Sequence, residues 1–148
     1  MYSSSALLVL GSLLWAMALA GVVIWILTII AYWKMFTKAG EKGWKAIIPV
    51  YSTYKIYDIT WKGSMFWLSL AAGIVSSILV NIWPDSVVSL IIATIVLVFA
   101  LVISVMACFK MSKAYGHGVG YGFGLLFLNT IFILILGFGK SEYVGKQD

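Results

Sequence analysis

Four long apolar runs dominate the chain, and charged, aromatic or turn-forming residues separate them. The first uncharged run extends from Ala6 to Trp33. As a helix it would be about 42 Å long, which exceeds the ~30 Å hydrocarbon core of a bilayer. Three further runs of suitable length follow it. The pattern predicts four transmembrane helices, at about residues 6–33, 65–83, 87–109 and 120–138.

Turn signals mark the ends of the later runs. Trp83-Pro84-Asp85 predicts a tight turn between the second and third spans, and Lys110 and Lys113 end the third span. Ala18-Leu19-Ala20 looks like a signal-peptidase site, but the apolar run continues beyond it and no basic residue precedes it. We therefore expect the first run to be an uncleaved transmembrane helix.

Residues 34–64 form a segment of another kind, in which lysines alternate with large aromatic rings. Such side chains have an apolar body and a polar tip, which suits the headgroup layer. Pro49 can start a short helix. On that helix Val50, Tyr54, Tyr57 and Trp61 share a face that we expect to lie against the bilayer or the bundle. The predicted interfacial residues are Trp44, Tyr51, Tyr54, Tyr57 and Trp61.

The opposite face of this short helix is charged. Lys55, Asp58 and Lys62 have the i, i+3 and i, i+4 spacings of ion pairs, and we expect this face to meet water. The segment is interpreted as an amphipathic connector on the bilayer, with a lipid- or partner-binding helix as the alternative. The sequence leaves open whether residues 46–61 are interfacial or re-entrant.

Composition agrees with a membrane protein. Hydrophobic residues make up 63% of the 148 residues, charged residues only 10%, and the mean hydropathy is +1.06. An ordinary soluble domain is about 25% charged. The fold class predicted is an all-α integral membrane protein, with one domain over residues 1–148 that holds four transmembrane helices and an amphipathic interfacial segment.

The distribution of charge predicts an orientation. The net charge is +5, and all ten basic residues are Lys. Without Arg there is no bidentate fork for phosphate, so we predict contact with the lipid bilayer and no nucleic-acid partner. Eight of the ten lysines fall in the segments after the first and third spans. The positive-inside rule then predicts a cytoplasmic (inner) membrane protein with both termini outside.

Small residues recur at a spacing of four in the spans. We predict helix packing at Ser69, Gly73 and Ser77 in the second span and at Gly120 and Gly124 at the entry to the fourth. Small residues allow helix backbones to approach closely, which matters in lipid because packing replaces the hydrophobic driving force. Packing inside the bundle and a seam between identical chains both remain open.

Side chains that could carry chemistry are sparse. The alternating glycines from Gly116 to Gly124 lack the preceding strand and the closing Lys or Ser/Thr of a phosphate loop, and a hinge or a close-packed helix entry is favoured. Cys108 and His117 are too far apart along a helix to act as a nucleophile and its base. Asn129 and Thr130 are favoured as interhelical hydrogen-bonding groups. No catalytic, cofactor-binding or metal site is predicted.

Two stretches resemble an uncharacterised family of small bacterial four-span membrane proteins. One is Phe36–Tyr51 followed by Ser52-Thr53-Tyr54, and the other is Lys113–Leu128 followed by Ile135–Tyr143. Some members of that family are joined to a signal peptidase I-like domain. This sequence has Ser52 where Asn is usual and Asn129 where Pro is usual. The resemblance covers most of residues 33–145 and implies no catalytic or ligand residues.

Together these features predict a non-enzymatic membrane scaffold or accessory protein that acts through helix packing, with itself or with another membrane protein. Two alternatives remain. One is an oligomeric channel or small-solute permeation protein, which would need several chains because four helices leave little lumen. The other is a lipid-acting or toxin-immunity protein.

Overall fold

The computed structural model describes residues 4–147, and every regular element in that range is helical. The helices are α1 (Ser4–Lys38), the 3₁₀ helix η1 (Gly43–Ile47), α2 (Pro49–Thr60), α3 (Gly63–Ile82), α4 (Val87–Ala114), α5 (Val119–Phe127) and α6 (Asn129–Phe138). Apolar residues without an intervening charge explain the three long helices, and Pro49 occupies the first turn of α2, where its missing N–H costs nothing.

Three helices, α1, α3 and α4, are long and apolar enough to cross a membrane. They correspond to the first three predicted spans, and the all-helical membrane architecture is thereby supported. The turn between α3 and α4 also lies where Trp83-Pro84-Asp85 predicts it. Ser89 closes this turn by donating its hydroxyl proton to the Trp83 carbonyl at 2.7 Å, while Ser86 caps the start of α4.

The fourth predicted span, residues 120–138, is not one helix. Leu128 has φ −123° and ψ 48°, and this single non-helical residue separates α5 from α6. His117 Nε2, just before α5, lies 2.8 Å from Ser141 Oγ, just after α6. A continuous helix over this stretch would hold its ends roughly 30 Å apart. The two short helices therefore form a hairpin that returns to the end where it started, and the prediction of a fourth crossing is corrected.

The C-terminal tail follows the hairpin back to the same end. The Val144 N–H donates to the Ala114 carbonyl at 2.7 Å, and the Gln147 N–H donates to the Thr60 carbonyl at 3.0 Å. The tail thus lies beside the end of α4 and the end of α2. The prediction that the C-terminal tail and the lysine-rich segment face opposite sides is wrong, because it counted a crossing that the hairpin does not make. Asp148 itself lies outside the described residues.

We call this end of the molecule the basic end: the last turns of α1 and α4, residues 39–62 and the tail 139–147. It carries every lysine of the chain: Lys34, Lys38, Lys42, Lys45, Lys55, Lys62, Lys110, Lys113, Lys140 and Lys146. Lys38 joins two of its elements, because its ammonium donates to the carbonyls of Leu136 and Gly139 at 2.6 and 2.8 Å. These carbonyls belong to the C-terminal end of α6, where a cation is favourable.

The packed core also lies near the basic end. Met35 and Phe36 of α1, Leu125 of α5, Leu136 of α6 and Tyr115 after α4 are all nearly inaccessible to solvent. The Tyr115 hydroxyl donates to the Met35 carbonyl at 2.9 Å and so joins the last turn of α1 to the end of α4. By contrast, the large apolar side chains from residue 7 to residue 27 of α1 are exposed. Beyond the compact end, α1 therefore extends without packing partners among the described residues, whereas α3 and α4 stay packed against each other through Ala72, Ser76 and Ala93.

Candidate functional site

A groove of small residues runs along the outer surface of α3. Ser69, Gly73 and Ser77 line it, together with Leu70, Ile74 and Ile78, and its volume is about 360 Å³. No atom lies within 4 Å of the position that a Cβ on Gly73 would occupy. The helix contacts α4 through other residues, because Ala72 and Ser76 are buried and Ser76 Oγ reaches the Ala93 carbonyl at 3.4 Å. Among residues 4–147, Gly73 and Ser77 of the predicted stripe are exposed and Ser69 is partly buried.

The two predicted packing glycines of the hairpin differ from each other. A Cβ on Gly124 would overlap the ring of Phe132, so α5 meets α6 closely at this point. Gly120 has open space beside it. Gly122 was not predicted, yet a Cβ there would overlap the Phe109 ring of α4. Within one chain, close helix packing therefore occurs at Gly122 and Gly124 and not at Gly120.

The short helix α2 buries residues outside the predicted set. Its buried residues are Ser52, Ile56, Ile59 and Thr60, whereas Val50 is 62% exposed. These residues are buried because α2 packs against η1, α3 and α4.

The aromatic residues predicted to be interfacial gather at the junction of α2 and α3. Tyr54 and Tyr57 pack against Phe66 with ring centroids 5.9 and 6.0 Å apart, Tyr51 lies 6.0 Å from Tyr54, and Trp61 is buried. Trp44 is exposed on η1. Their location in the headgroup layer stays a prediction.

A chain of ion pairs crosses the basic end. Glu41 pairs with Lys45 and with Lys55 (3.2 Å), Lys55 pairs with Asp58 (2.9 Å), and Asp58 lies 3.5 Å from Lys146 in the tail. The predicted Lys55–Asp58 pair is thus present, but Lys55 is mostly covered and does not simply face water.

These pairs shift the titration of the groups involved. Hydrogen bonds from Lys45 and Lys55 lower the pKa of Glu41, and the hydrogen bond from Lys55 lowers the pKa of Asp58. The hydrogen bond to Asp58 raises the pKa of Lys55. The ionised forms of all three groups are therefore favoured in the folded protein.

Two of the polar residues considered for chemistry, His117 and Asn129, have structural partners. His117 stacks on Tyr121, with ring centroids 4.1 Å apart, besides its contact with Ser141. Asn129 donates to the Leu125 carbonyl at 3.2 Å and so ties α6 to α5 rather than to a distant helix. Among residues 4–147, no three His, Cys, Asp or Glu side chains are placed to hold a metal ion.

Sequence reasoning missed a cavity of about 180 Å³ between α1 and the η1–α2 segment. Tyr32 and Ser52 both line it, although they are far apart in the sequence. In the sequence, the only indication of this cavity is Ser52 on the inward side of α2, and it stands between the more conspicuous aromatic residues Tyr51 and Tyr54.

Comparison with known proteins gives one match. The sequence profile of DUF5684, described as a family of unknown function, matches residues 44–146, which is more than half of the chain. The matched range overlaps both stretches that resemble an uncharacterised family. No curated protein and no solved structure matches the chain.

Proposed function

Since the chain belongs to DUF5684, a family of unknown function, we propose from its own structure that it is a non-enzymatic integral membrane scaffold that self-associates through its spans. The observation that carries this proposal is how little of those spans the chain packs against itself. In the most apolar stretch of α1 none of the residues is buried, and in α3 and α4 only 11% and 17% are. The scaffold would present these surfaces to other helices.

The groove on α3 is the favoured contact. Apolar side chains gain nothing by leaving lipid for another apolar surface, so association within a bilayer depends on close approach of helix backbones. Ser69, Gly73 and Ser77 permit that approach, and the ridge of Leu70, Ile74 and Ile78 beside them offers the complementary shape. A glycine inside a helix costs about 1 kcal/mol relative to alanine. No contact within residues 4–147 offsets this cost at Gly73, whereas a second helix in the groove would.

The same proposal includes an orientation. All ten lysines lie at the basic end, while the α3–α4 turn at the far end carries Asp85 and no lysine. The positive-inside rule places the basic end in the cytoplasm. The N-terminus is then outside, and the C-terminal tail inside.

Mass measurement in lipid nanodiscs or mild detergent tests self-association, against a chain mass of 16.3 kDa. We expect the parent to be oligomeric and Gly73→Leu, which fills the groove, to shift it to the monomer. Gly21→Leu is the matched control, because Gly21 also has open space beside it on an apolar span, α1. A parent that stays monomeric at every protein concentration, or two variants that behave alike, would refute the proposal.

A further inference from the structure

The cavity between α1 and the η1–α2 segment is lined by apolar surface and by hydroxyl groups. Trp25 and Ile29 of α1 face Ile47 and Pro49 across it, and the polar lining consists of Thr28, Tyr32, Ser52 and Thr53. No charged side chain lines the cavity. A ligand that fits must therefore be largely apolar and carry neutral polar atoms, because a phosphate or an ammonium group would find no counter-charge.

The four hydroxyls are not equivalent. Thr28 donates its proton to the Ile24 carbonyl at 2.7 Å, and Thr53 donates to the Pro49 carbonyl at 3.0 Å. Ser52, only 5% exposed, and the half-buried Tyr32 make no side-chain hydrogen bond within residues 4–147. Both still have a proton to donate. No fully buried side-chain oxygen within residues 4–147 lacks a hydrogen-bond partner, so both of these hydroxyls reach open space, and an acceptor that enters the cavity would receive their hydrogen bonds.

Helix geometry gives the depth of the cavity in a membrane. Lys38, whose ammonium lies at the basic end, is six residues beyond Tyr32, or about 9 Å along α1, and Trp25 is about 10 Å deeper than Tyr32. The headgroup layer is about 5–8 Å thick on each side. The free hydroxyls thus lie where the layer of ester groups meets the hydrocarbon, and Trp25 and Ile29 lie at the depth of the acyl chains.

We propose that this cavity binds the acyl-ester region of a membrane glycerolipid, with Ser52 and Tyr32 donating hydrogen bonds to its ester carbonyl oxygens. The acyl chain lies along Trp25, Ile29 and Ile47, and the headgroup extends toward the water beside α2. This site is separate from the groove on α3, so it does not depend on self-association.

The test compares two lipids that differ only at the ester. Delipidated protein in detergent is titrated with a diacyl phosphatidylglycerol and with its diether analogue of the same headgroup and chain length, and bound lipid is counted by native mass spectrometry. The diether lacks the carbonyl acceptors. Because each hydrogen bond contributes about 1 kcal/mol, we expect the parent to bind the diester about fivefold or more tightly. Equal binding of the two lipids by the parent would overturn the proposal, and this comparison needs no variant.

Two conservative variants locate the effect. Ser52→Ala and Tyr32→Phe each remove one donor, and we expect each to reduce the preference for the diester and the double variant to abolish it. Ser104→Ala is the control, because the Ser104 hydroxyl on α4 donates to the Ala100 carbonyl of its own helix and lies outside the cavity. A preference that persists in the double variant would assign the ester contact to another surface and refute this one.

Discussion

Gly137 of α6 offers the most direct test of how the α5–α6 hairpin is held. A Cβ on this residue would lie 2.5 Å from the Cα of Ala31 and 2.7 Å from its Cβ and carbonyl oxygen. Ordinary contacts between carbon atoms are about 3.5–4.0 Å. The obstructing atoms are mainly the backbone of α1, which cannot rotate away as a side chain would. In Gly137→Ala, α6 must therefore move away from α1 by about 1 Å.

The cost of that movement can be estimated from the contacts on either side. Leu136 and Ile133 lose part of their close packing, and the Lys38 hydrogen bonds to Leu136 and Gly139 are stretched. Overpacking of this kind costs about 1–3 kcal/mol. Alanine recovers up to about 1 kcal/mol through its better helix propensity. We expect Gly137→Ala to lower the free energy of unfolding by up to about 2 kcal/mol.

Unfolding in mixed micelles, followed by circular dichroism, measures this difference. Gly21→Ala serves as the control, because it makes the same chemical change in a helix with open space beside the glycine, and its stability should equal or exceed the parent's. The combination with Ala31→Gly should restore only part of the loss, since the Ala31 backbone remains in place. A Gly137→Ala protein as stable as the Gly21→Ala protein would show that α6 does not pack on α1 as described.

Two further outcomes are expected. In a Cys108→Ser background, a membrane-impermeant thiol reagent on intact cells should label a cysteine at Ser86 and leave one at Lys146 unlabelled, and labelling at 146 but not at 86 would reverse the orientation. The folded-state pKa values of Glu41 and Asp58 are lowered, so the stability that these carboxylates contribute is complete above their unfolded pKa values of about 4 and is lost as the pH falls through the folded values. The thermal midpoint of the parent should therefore decline below about pH 4. The midpoint of Lys55→Met, which lacks the ammonium that pairs with both carboxylates, should decline less, and equal declines would contradict a stabilising role for these ion pairs.

The sequence predicted the long helices because hydropathy reports directly on them. Predicted spans over 65–83 and 87–109 match α3 and α4 closely, apart from the polar last turn of α4. The same signal failed at residues 120–138, since this hairpin, whose tip exposes Phe127 and Leu128, is as apolar as a crossing. Leu128, where the chain reverses, is neither Gly nor Pro, and the contacts that fix the reversal, such as His117 with Ser141, join residues far apart in the sequence.

The candidate sites divide in the same way. The small residues that line the groove at Gly73 recur at helical spacing, so the sequence predicts that they share one side of α3. The sequence does not predict which side of α3 packs against α4. The residues that α2 buries, among them Ser52 and Ile56, could not be identified from the sequence, because η1, α3 and α4 surround this helix on sides that amphipathicity alone does not distinguish. The cavity at Ser52 depends on where α1 passes α2, which no local pattern records.

The hairpin also gives the molecule unequal cross-sections in the two leaflets. α5 and α6, with 9 and 10 residues, are each roughly 14 Å long and reach only about halfway through the hydrocarbon. In the proposed membrane placement, the leaflet at the basic end would accommodate the three spans together with α2, α5 and α6, while the other leaflet would accommodate the three spans alone. A protein of this wedge shape displaces more lipid from one leaflet than from the other. Where many copies gather, that difference in area favours a bilayer that bulges toward the basic end.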